Sequence, residues 1–375
     1  MKEFNSMKRY SFQTIIALCY FISFVVLATN AEVRIIDNAT KEPLAKASVF
    51  DKNGKFITVT DDNGLIPTNV SSDSYPLNVR YVGYEPKDVV SPDEGQIKLE
   101  ETSYDLPEIT VDSESHNHMV ITAYVRNYIT RTTEKDTVVS FEEQIVDFMF
   151  PVTKKAKVKG WNKARVLAQR TYDWGKNSKR DTVRYTEDTK GSSYSFDLDD
   201  KFVLPEAMAA GNAIKEIVPG KNSDKEIWQK RGDTYFLEKD GLADYKDHIN
   251  KPALAKLLGL TMFMDLDESN YKFHENGKNQ FSPEDVLEAS VNYHMNMSGK
   301  GIKYAYDTKD PIDLYGYGEM FVIDRAYLTM EDAKELKKNP PVINMNFKAP
   351  ENIPLPPPQM IKIKDRVLKE NLNAK

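Results

Sequence analysis

Short strand-like runs that alternate with tight-turn signals fill residues 32–111. In KFITVT (55–60), Phe56, Thr58 and Thr60 alternate with Ile57 and Val59, as the two faces of a strand do. This run lies between the turn sequences Asn53-Gly54 and Asp61–Gly64. The other runs are VRIID (33–37), ASVFD (47–51), PLNVRYVGY (76–84), GQIKLE (95–100) and LPEITV (106–111). Short strands at this spacing predict an antiparallel β-sandwich.

Residues 1–31 are predicted to be a targeting segment. Basic residues precede an apolar run at 15–28, which is too short to span a bilayer comfortably and fits the core of a signal peptide. We expect cleavage near Ala31; the alternative is an uncleaved membrane anchor. Cys19, the only cysteine, lies inside this run, so the mature chain is expected to have no disulfide and no thiolate nucleophile.

A polar linker at 112–118 separates the sandwich from a second predicted domain at 119–349. Strands are predicted at 119–131, 138–150, 165–174, 181–187, 233–238, 289–297, 301–307 and 317–324. Helices are predicted at 205–218, 252–259 and 329–338. Because strands outnumber helices, this domain is expected to be an antiparallel sheet of the α+β class with a few short helices.

Residues 350–375 are predicted to be a proline-rich linker followed by a basic tail. The proline-rich part is expected to be extended and stiff. Two interpretations of the tail remain open: a frayed, solvated end, and a segment that docks on another chain.

Motif searches predict no catalytic residue, no cofactor and no metal site. His116 and His118 come nearest to a metal pair, but two histidines on a polar linker are read as polar residues. The segment that starts at Asp265 resembles the beginning of a calcium loop, yet its sixth and twelfth positions are Asn270 and Asn276 instead of Gly and Glu. The formal net charge of −6 argues against nucleic acid as a partner.

Carboxylate pairs give no positive signal for hydrolysis. Glu142 and Glu143 are adjacent, so on a strand they point to opposite faces and cannot act together. A pair of carboxylates that are distant in sequence stays open.

Residues 32–111 resemble the carboxypeptidase regulatory-like domain. The matching positions are Asp37, Pro43, Leu44, Asp61, Gly64, Tyr81, Gly83 and Tyr84, followed by the LPEITV exit. The resemblance implies a prealbumin-like Greek-key sandwich that is non-catalytic and that often precedes the plug and barrel of TonB-dependent receptors in Bacteroidota. The sequence departs from the family pattern at Pro67 and Pro107. The predicted fold is therefore mostly β: this sandwich, then the larger antiparallel sheet.

Gly83 is expected to bend the chain after a regular strand, because glycine adopts positive φ freely and leaves room for a close neighbour. Thr137 and Thr182, each in an Asp-Thr-Val triplet, resemble the acceptor pattern of O-glycosylation in Bacteroidota. A transmembrane barrel is not expected, because a receptor barrel of about 22 strands needs several hundred residues more than follow the sandwich.

Three functions follow from these predictions. The first is a non-catalytic protein of the bacterial cell envelope, in the periplasm or at the outer membrane, whose sandwich is an interaction or spacer module and whose β-rich domain binds a protein, glycan or lipid. The second is a periplasmic carrier of lipid or lipoprotein, with an apolar cavity in 119–349. The third is a hydrolase of glycan or peptide, which would need convergent polar side chains with shifted pKa values in a pocket.

Overall fold

The computed structural model describes residues 32–102, 116–151, 158, 164–175, 182–186, 196, 198, 201–219, 225–242, 257–306, 308–341 and 347–373. The predicted targeting segment and the LPEITV exit lie outside this set. Within it, no helix has both the length and the apolar character needed to cross a membrane.

The N-terminal unit is a β-sandwich, as predicted, although one of its two sheets is a parallel pair and not antiparallel. Its strands are β1 (Arg34–Asp37), β2 (Ser48–Phe50), β3 (Phe56–Val59), β4 (Leu77–Arg80), β5 (Lys87–Val89) and β6 (Gln96–Leu99). β1 pairs with β6 in parallel, and β3-β2-β4-β5 form an antiparallel sheet. Alternating apolar side chains of both sheets, including Ile35, Val49, Val79 and Leu99, are fully buried between them.

A ten-stranded antiparallel sheet forms the second unit, with the order β10-β9-β8-β7-β18-β17-β15-β14-β13-β12. Its strands are β7 (His118–Thr132), β8 (Thr137–Pro151), β9 (Ala164–Gly175), β10 (Thr182–Thr186), β12 (Lys215–Val218), β13 (Lys225–Arg231), β14 (Thr234–Asp240), β15 (Thr261–His274), β17 (Val286–Ser298) and β18 (Ile312–Leu328). The short strands β11 (Phe202–Val203) and β16 (Gln280–Phe281) pair with each other. The described helices are α1 (Glu206–Ala209), α2 (Ile302–Ala305), α3 (Met330–Lys338) and α4 (Pro358–Asn373).

The sheet has two different faces, because side chains alternate along each strand. The front face carries an apolar cluster around Ile121, Val125, Trp228 and Phe273. Side chains from 196–208 and β16 cover this cluster: Phe196, Leu198, Phe202, Leu204, Met208 and Phe281. The back face carries buried tyrosines and charged residues, among them Tyr128, Glu143 and Glu319.

The sandwich and the C-terminal strap (residues 347–373) both cover the back face. Phe50 of the sandwich lies edge-on to the rings of Tyr128 and Tyr317, at 5.4 and 5.3 Å between centroids. Met360 of the strap is buried in the same cluster. The tail therefore forms a helix that contacts its own chain, so it is neither the frayed end nor, in this structure, the segment docked on another chain that the sequence left open.

The strands predicted around 119–131, 138–150, 165–174, 181–187, 233–238, 289–297 and 317–324 are confirmed, as is the helix at 329–338. The helix predicted over 205–218 is wrong: α1 stops at Ala209, Gly211 has φ +74°, and β12 begins at Lys215. The strand predicted over 301–307 is wrong too, since Ile302–Ala305 is helical. The helix predicted at 252–259 lies mostly outside the described residues.

Candidate functional site

A groove of about 820 Å³ opens on the front face, beside the covered apolar cluster. β7, β8, β9, β15, β17 and β18 form its floor, and Tyr306, which follows α2, lies at its edge. The volume falls in the range of about 300–1,000 Å³ that small-molecule sites occupy.

Strand register arranges the floor in rows across the sheet. The outermost row, at the strand ends, is Val138, Arg131, Leu314, Met295 and Met264. The next row is Asp173, Ser140, Ile129, Gly316, Tyr293 and Asp267. The third is Glu142, Asn127, Gly318, Val291 and Ser269. The groove thus has a largely aliphatic outer row and two inner rows rich in hydrogen-bonding groups.

Two glycines of β18 leave room for neighbouring side chains in the two inner rows. A Cβ atom on Gly316 would overlap the ring of Tyr293, so the ring occupies the space that a side chain would fill. A Cβ on Gly318 would lie 3.0 Å from both Asn127 Oδ1 and Val291 Cγ2. Burial raises the pKa of Tyr293 to about 12, and the neighbouring Tyr306 and Glu142 act in the same direction.

Polar groups within the groove have partners of their own. The Ser140 hydroxyl donates to Asp173 Oδ1 over 2.5 Å. The guanidinium of Arg131 lies 5.3 Å from the centroid of the Tyr306 ring, a cation–π distance. The groove therefore combines aliphatic side chains with polar groups that contact each other within the chain.

A buried charge centre, formed by Arg80, Arg126 and Glu319, lies on the reverse side of the same strands. Arg80 Nε donates to Glu319 Oε1 over 2.6 Å, and Arg126 Nη2 lies 2.6 Å from Glu319 Oε2. The hydroxyls of Tyr317 and Tyr128 donate to the same carboxylate over 2.9 and 3.2 Å. Burial would raise the pKa of Glu319, but the two guanidinium groups outweigh it and hold this pKa below its usual range.

The strap completes this charge centre. Arg126 and Arg80 donate to the backbone carbonyls of Pro354 and Leu355 over 2.9 and 2.7 Å. Farther along the strap, Lys364 Nζ lies 2.8 Å from Glu143 Oε1.

Glu143 is a second buried carboxylate on the back face. Arg170 lies 3.0 Å away, and the hydroxyls of Tyr124 and Tyr172 donate to Glu143 over 2.6 and 3.1 Å. Burial would raise its pKa, but Lys364 and Arg170 outweigh burial and lower it. Glu143 thus forms ion pairs on the back face while Glu142 lines the groove, so the two carboxylates point to opposite faces, as their adjacency predicts.

Three carboxyl groups with raised pKa, those of Glu238, Glu268 and Glu288, lie on the strands beneath the sandwich and do not line the groove. Burial raises the pKa of Glu238 to about 7 and that of Glu268 to about 9, while the nearby Lys46 acts in the opposite direction. Burial also raises the pKa of Glu288, whose carboxylate accepts a hydrogen bond from the backbone of Gly83. This placement gives the hydrolase hypothesis no support.

Three positions that carry the family resemblance, Asp37, Gly83 and Tyr84, contact the large sheet. Asp37 accepts hydrogen bonds from the backbone of Ala39 and Thr40, accepts another from the Tyr84 hydroxyl, and lies 3.1 Å from Arg231 of β13. The remaining positions are structural: Pro43 bridges to Ile36, Leu44 is buried, Asp61 Oδ1 accepts from Asn63 and Leu65 in the turn that contains Gly64, Tyr81 packs on Tyr84, and Gly83 has φ +76°.

The other residues singled out from sequence are not brought together. Thr137 begins β8 and Thr182 begins β10. His118 is buried in β7, and His116 packs against the ring of Tyr327. In the described ranges no three His, Cys, Asp or Glu side chains are grouped so that they could hold a metal ion.

Residues 34–115 match the family model of the CarboxypepD_reg-like domain. The N-terminal unit is a carboxypeptidase regulatory-like domain. The match ends before β7, so it covers the sandwich and does not extend over the ten-stranded sheet. No curated protein matches the sequence.

Two solved structures show weak similarity. One, described as "lipid-protein interactions in lipovitellin", is 8% identical with a TM-score of 0.30; the alignment covers 56% of this chain and 26% of that chain. The other is the translocator domain of the autotransporter NalP from Neisseria meningitidis, 8% identical with a TM-score of 0.12, over 56% of this chain and 90% of that chain. Neither TM-score is high enough to assign a fold or a function.

Proposed function

We propose that this chain is an exported, non-catalytic binding protein of the cell envelope that holds an amphipathic small molecule in the front-face groove. The single observation that carries the proposal is the groove itself, with its volume of about 820 Å³ and its adjacent aliphatic and polar rows. Of the three functions that the sequence left open, this proposal corresponds to the second, the carrier of lipid or lipoprotein. Export is supported by the signal-peptide pattern of residues 1–31.

The carboxypeptidase regulatory-like domain has a stabilising role in this proposal. Its aromatic residues and Arg80 contact the back face of the sheet, so this surface of the domain is occupied within the chain. The domain covers polar and charged groups of the sheet and leaves the opposite face accessible to a ligand.

Fluorescence titration of residues 32–375 with a naturally fluorescent polyene fatty acid tests the proposal. The expected result is saturable binding of one probe per chain. Val291→Trp places a bulky ring on the groove floor and is expected to weaken binding at least about tenfold, a loss of about 1.4 kcal/mol. Val90→Trp is the matched control, because Val90 is 69% exposed on the sandwich. Non-saturable binding, or equal binding by both variants, contradicts the proposal.

A further inference from the structure

The groove floor and the back-face contacts share the same three strands. On β18, Gly316 and Gly318 belong to the groove rows. Tyr317, which lies between them, and Glu319, which follows them, contact Phe50 and Arg80 of the sandwich. Successive side chains of a strand point to opposite faces, so each groove residue here is one residue from a back-face contact.

The neighbouring strands repeat this arrangement. On β7, Asn127 lies in a groove row and Arg126 in the charge centre. On β17, Val291 and Tyr293 flank Asn292, whose side chain accepts a hydrogen bond of 2.8 Å from Ser48 of the sandwich. Adjacent Cα atoms are held about 3.8 Å apart, so a displacement of the back-face contacts moves the groove floor as well.

The back-face contacts at these strands depend on docking. Glu319 is buried with two guanidinium groups, one of which, on Arg80, comes from the sandwich. Withdrawal of the sandwich would leave Glu319 with one arginine, and withdrawal of the strap would remove the Pro354 and Leu355 carbonyls from both arginines. Loss of docking therefore changes both the pairing and the solvent exposure of these charges, and the strands that carry them are expected to adjust.

We propose that the carboxypeptidase regulatory-like domain and the strap regulate the groove: their docking holds β7, β17 and β18 in the ligand-binding arrangement, so docking and ligand binding stabilise each other. This inference rests on the proposed function. The two sites are the groove and the charge centre, and the two states are the docked and loosened back face. Reciprocity requires that each event strengthens the other by the same factor.

Affinity measurements on two variants test the coupling. Arg80→Met removes the sandwich's arginine from the charge centre, and Lys364→Met removes the strap's contact with Glu143, which adjoins Glu142 of the groove. Lys364 is partly exposed, so the second variant tests the inference even if Arg80→Met fails to fold. Both are expected to weaken binding of the polyene fatty acid by about fivefold or more, the lower end of typical coupling.

Arg231→Met is the matched control. Arg231 also joins the sandwich to the sheet, through Asp37, but it belongs to β13, which does not line the groove. Its affinity is expected to stay within about twofold of the unaltered chain, compared under conditions in which all variants give the same circular dichroism spectrum. A purely structural role of the interface would weaken all three variants alike and would overturn the inference.

Hydrogen exchange provides the reciprocal measurement. Saturation of the unaltered chain with the same probe is expected to slow amide exchange in the strap, which lies on the opposite face. Binding that leaves strap exchange unchanged and is unaffected by Arg80→Met and Lys364→Met overturns only this inference. Absence of binding by the unaltered chain overturns the proposed function, and the coupling with it.

Discussion

Gly83 of the sandwich lies directly against the side chain of Lys272 in the large sheet. A Cβ atom on Gly83 would be 2.8 Å from Lys272 Cδ and 2.9 Å from Phe236 Cε1. The Gly83 N–H donates to Glu288 over 2.9 Å. Gly83 lies in the turn after β4, where its φ is +76°, and it is a contact between the two units.

Substitution of Gly83 by alanine is expected to lower the unfolding free energy by about 2–4 kcal/mol, since left-handed backbone strain and overlap with the sheet add together. Gly211→Ala is the control, because Gly211 has φ +74° but a Cβ atom added there would meet no other atom within 4 Å. It should lose only about 1–2 kcal/mol. Urea denaturation measures both, and equal losses would contradict the contact.

Glu319→Gln is expected to lower the unfolding free energy by about 3–5 kcal/mol, because it leaves two buried arginines without their carboxylate. The matched control is Asp310→Asn, which breaks the pair with the exposed Lys135 and should change stability by less than about 1 kcal/mol. Denaturant titration of both variants measures the difference; similar values would argue that the charge centre is not desolvated.

The pKa of Glu268, raised by burial from 4.5 to about 9, predicts a pH dependence of stability. Between these values the folded chain retains a proton that the unfolded chain releases, so stability falls as pH rises. Glu268→Gln removes this dependence. The unfolding free energy of the variant relative to the unaltered chain should therefore increase steadily from pH 5 to pH 9.

Chemical denaturation at intervals between pH 5 and pH 9 measures this trend. Glu85→Gln is the control, because it removes one negative charge from an exposed position on the sandwich instead of from a buried one. A difference between Glu268→Gln and the unaltered chain that stays constant or shrinks as pH rises would contradict the protonated, buried state of Glu268.

Gly316→Ala is expected to destabilise the chain by about 1–3 kcal/mol, because the added methyl group overlaps the Tyr293 ring. The same substitution in a Tyr293→Ala background should cost at least about 1 kcal/mol less, since the obstructing ring is gone. A double-mutant cycle measured by denaturant titration provides this coupling energy. A coupling energy near zero would contradict the contact between the Tyr293 ring and Gly316.

The large sheet was predictable where its strands alternate clearly. Residues 119–131 have such a pattern and form β7 almost to the residue. Residues 138–150 are ambiguous in period, were predicted as a strand all the same, and form β8. Local preference failed at 205–218, where an alanine-rich start favours a helix. There Ile217 pairs with Ile227 of β13, and this pairing outweighs the intrinsic preference for a helix.

The groove and the charge centre could not be predicted, because their members are far apart in sequence. Arg80 and Glu319 are separated by 239 positions. The glycines of Tyr315-Gly316-Tyr317-Gly318 did offer a signal, since glycine inside a strand often marks close approach of another group. The group that approaches Gly316 is Tyr293, on a different strand, so only the fold identifies it.

The alternation along β18 also restricts how this protein can change. Insertion or deletion of a single residue between Tyr315 and Glu319 would exchange the two faces, so that the glutamate would enter the groove and glycines would lie under the sandwich. Substitutions can alter one face at a time, whereas a change of length by one residue alters both together. Homologues that preserve both surfaces should therefore vary in length in the loops on either side of this strand and not within it.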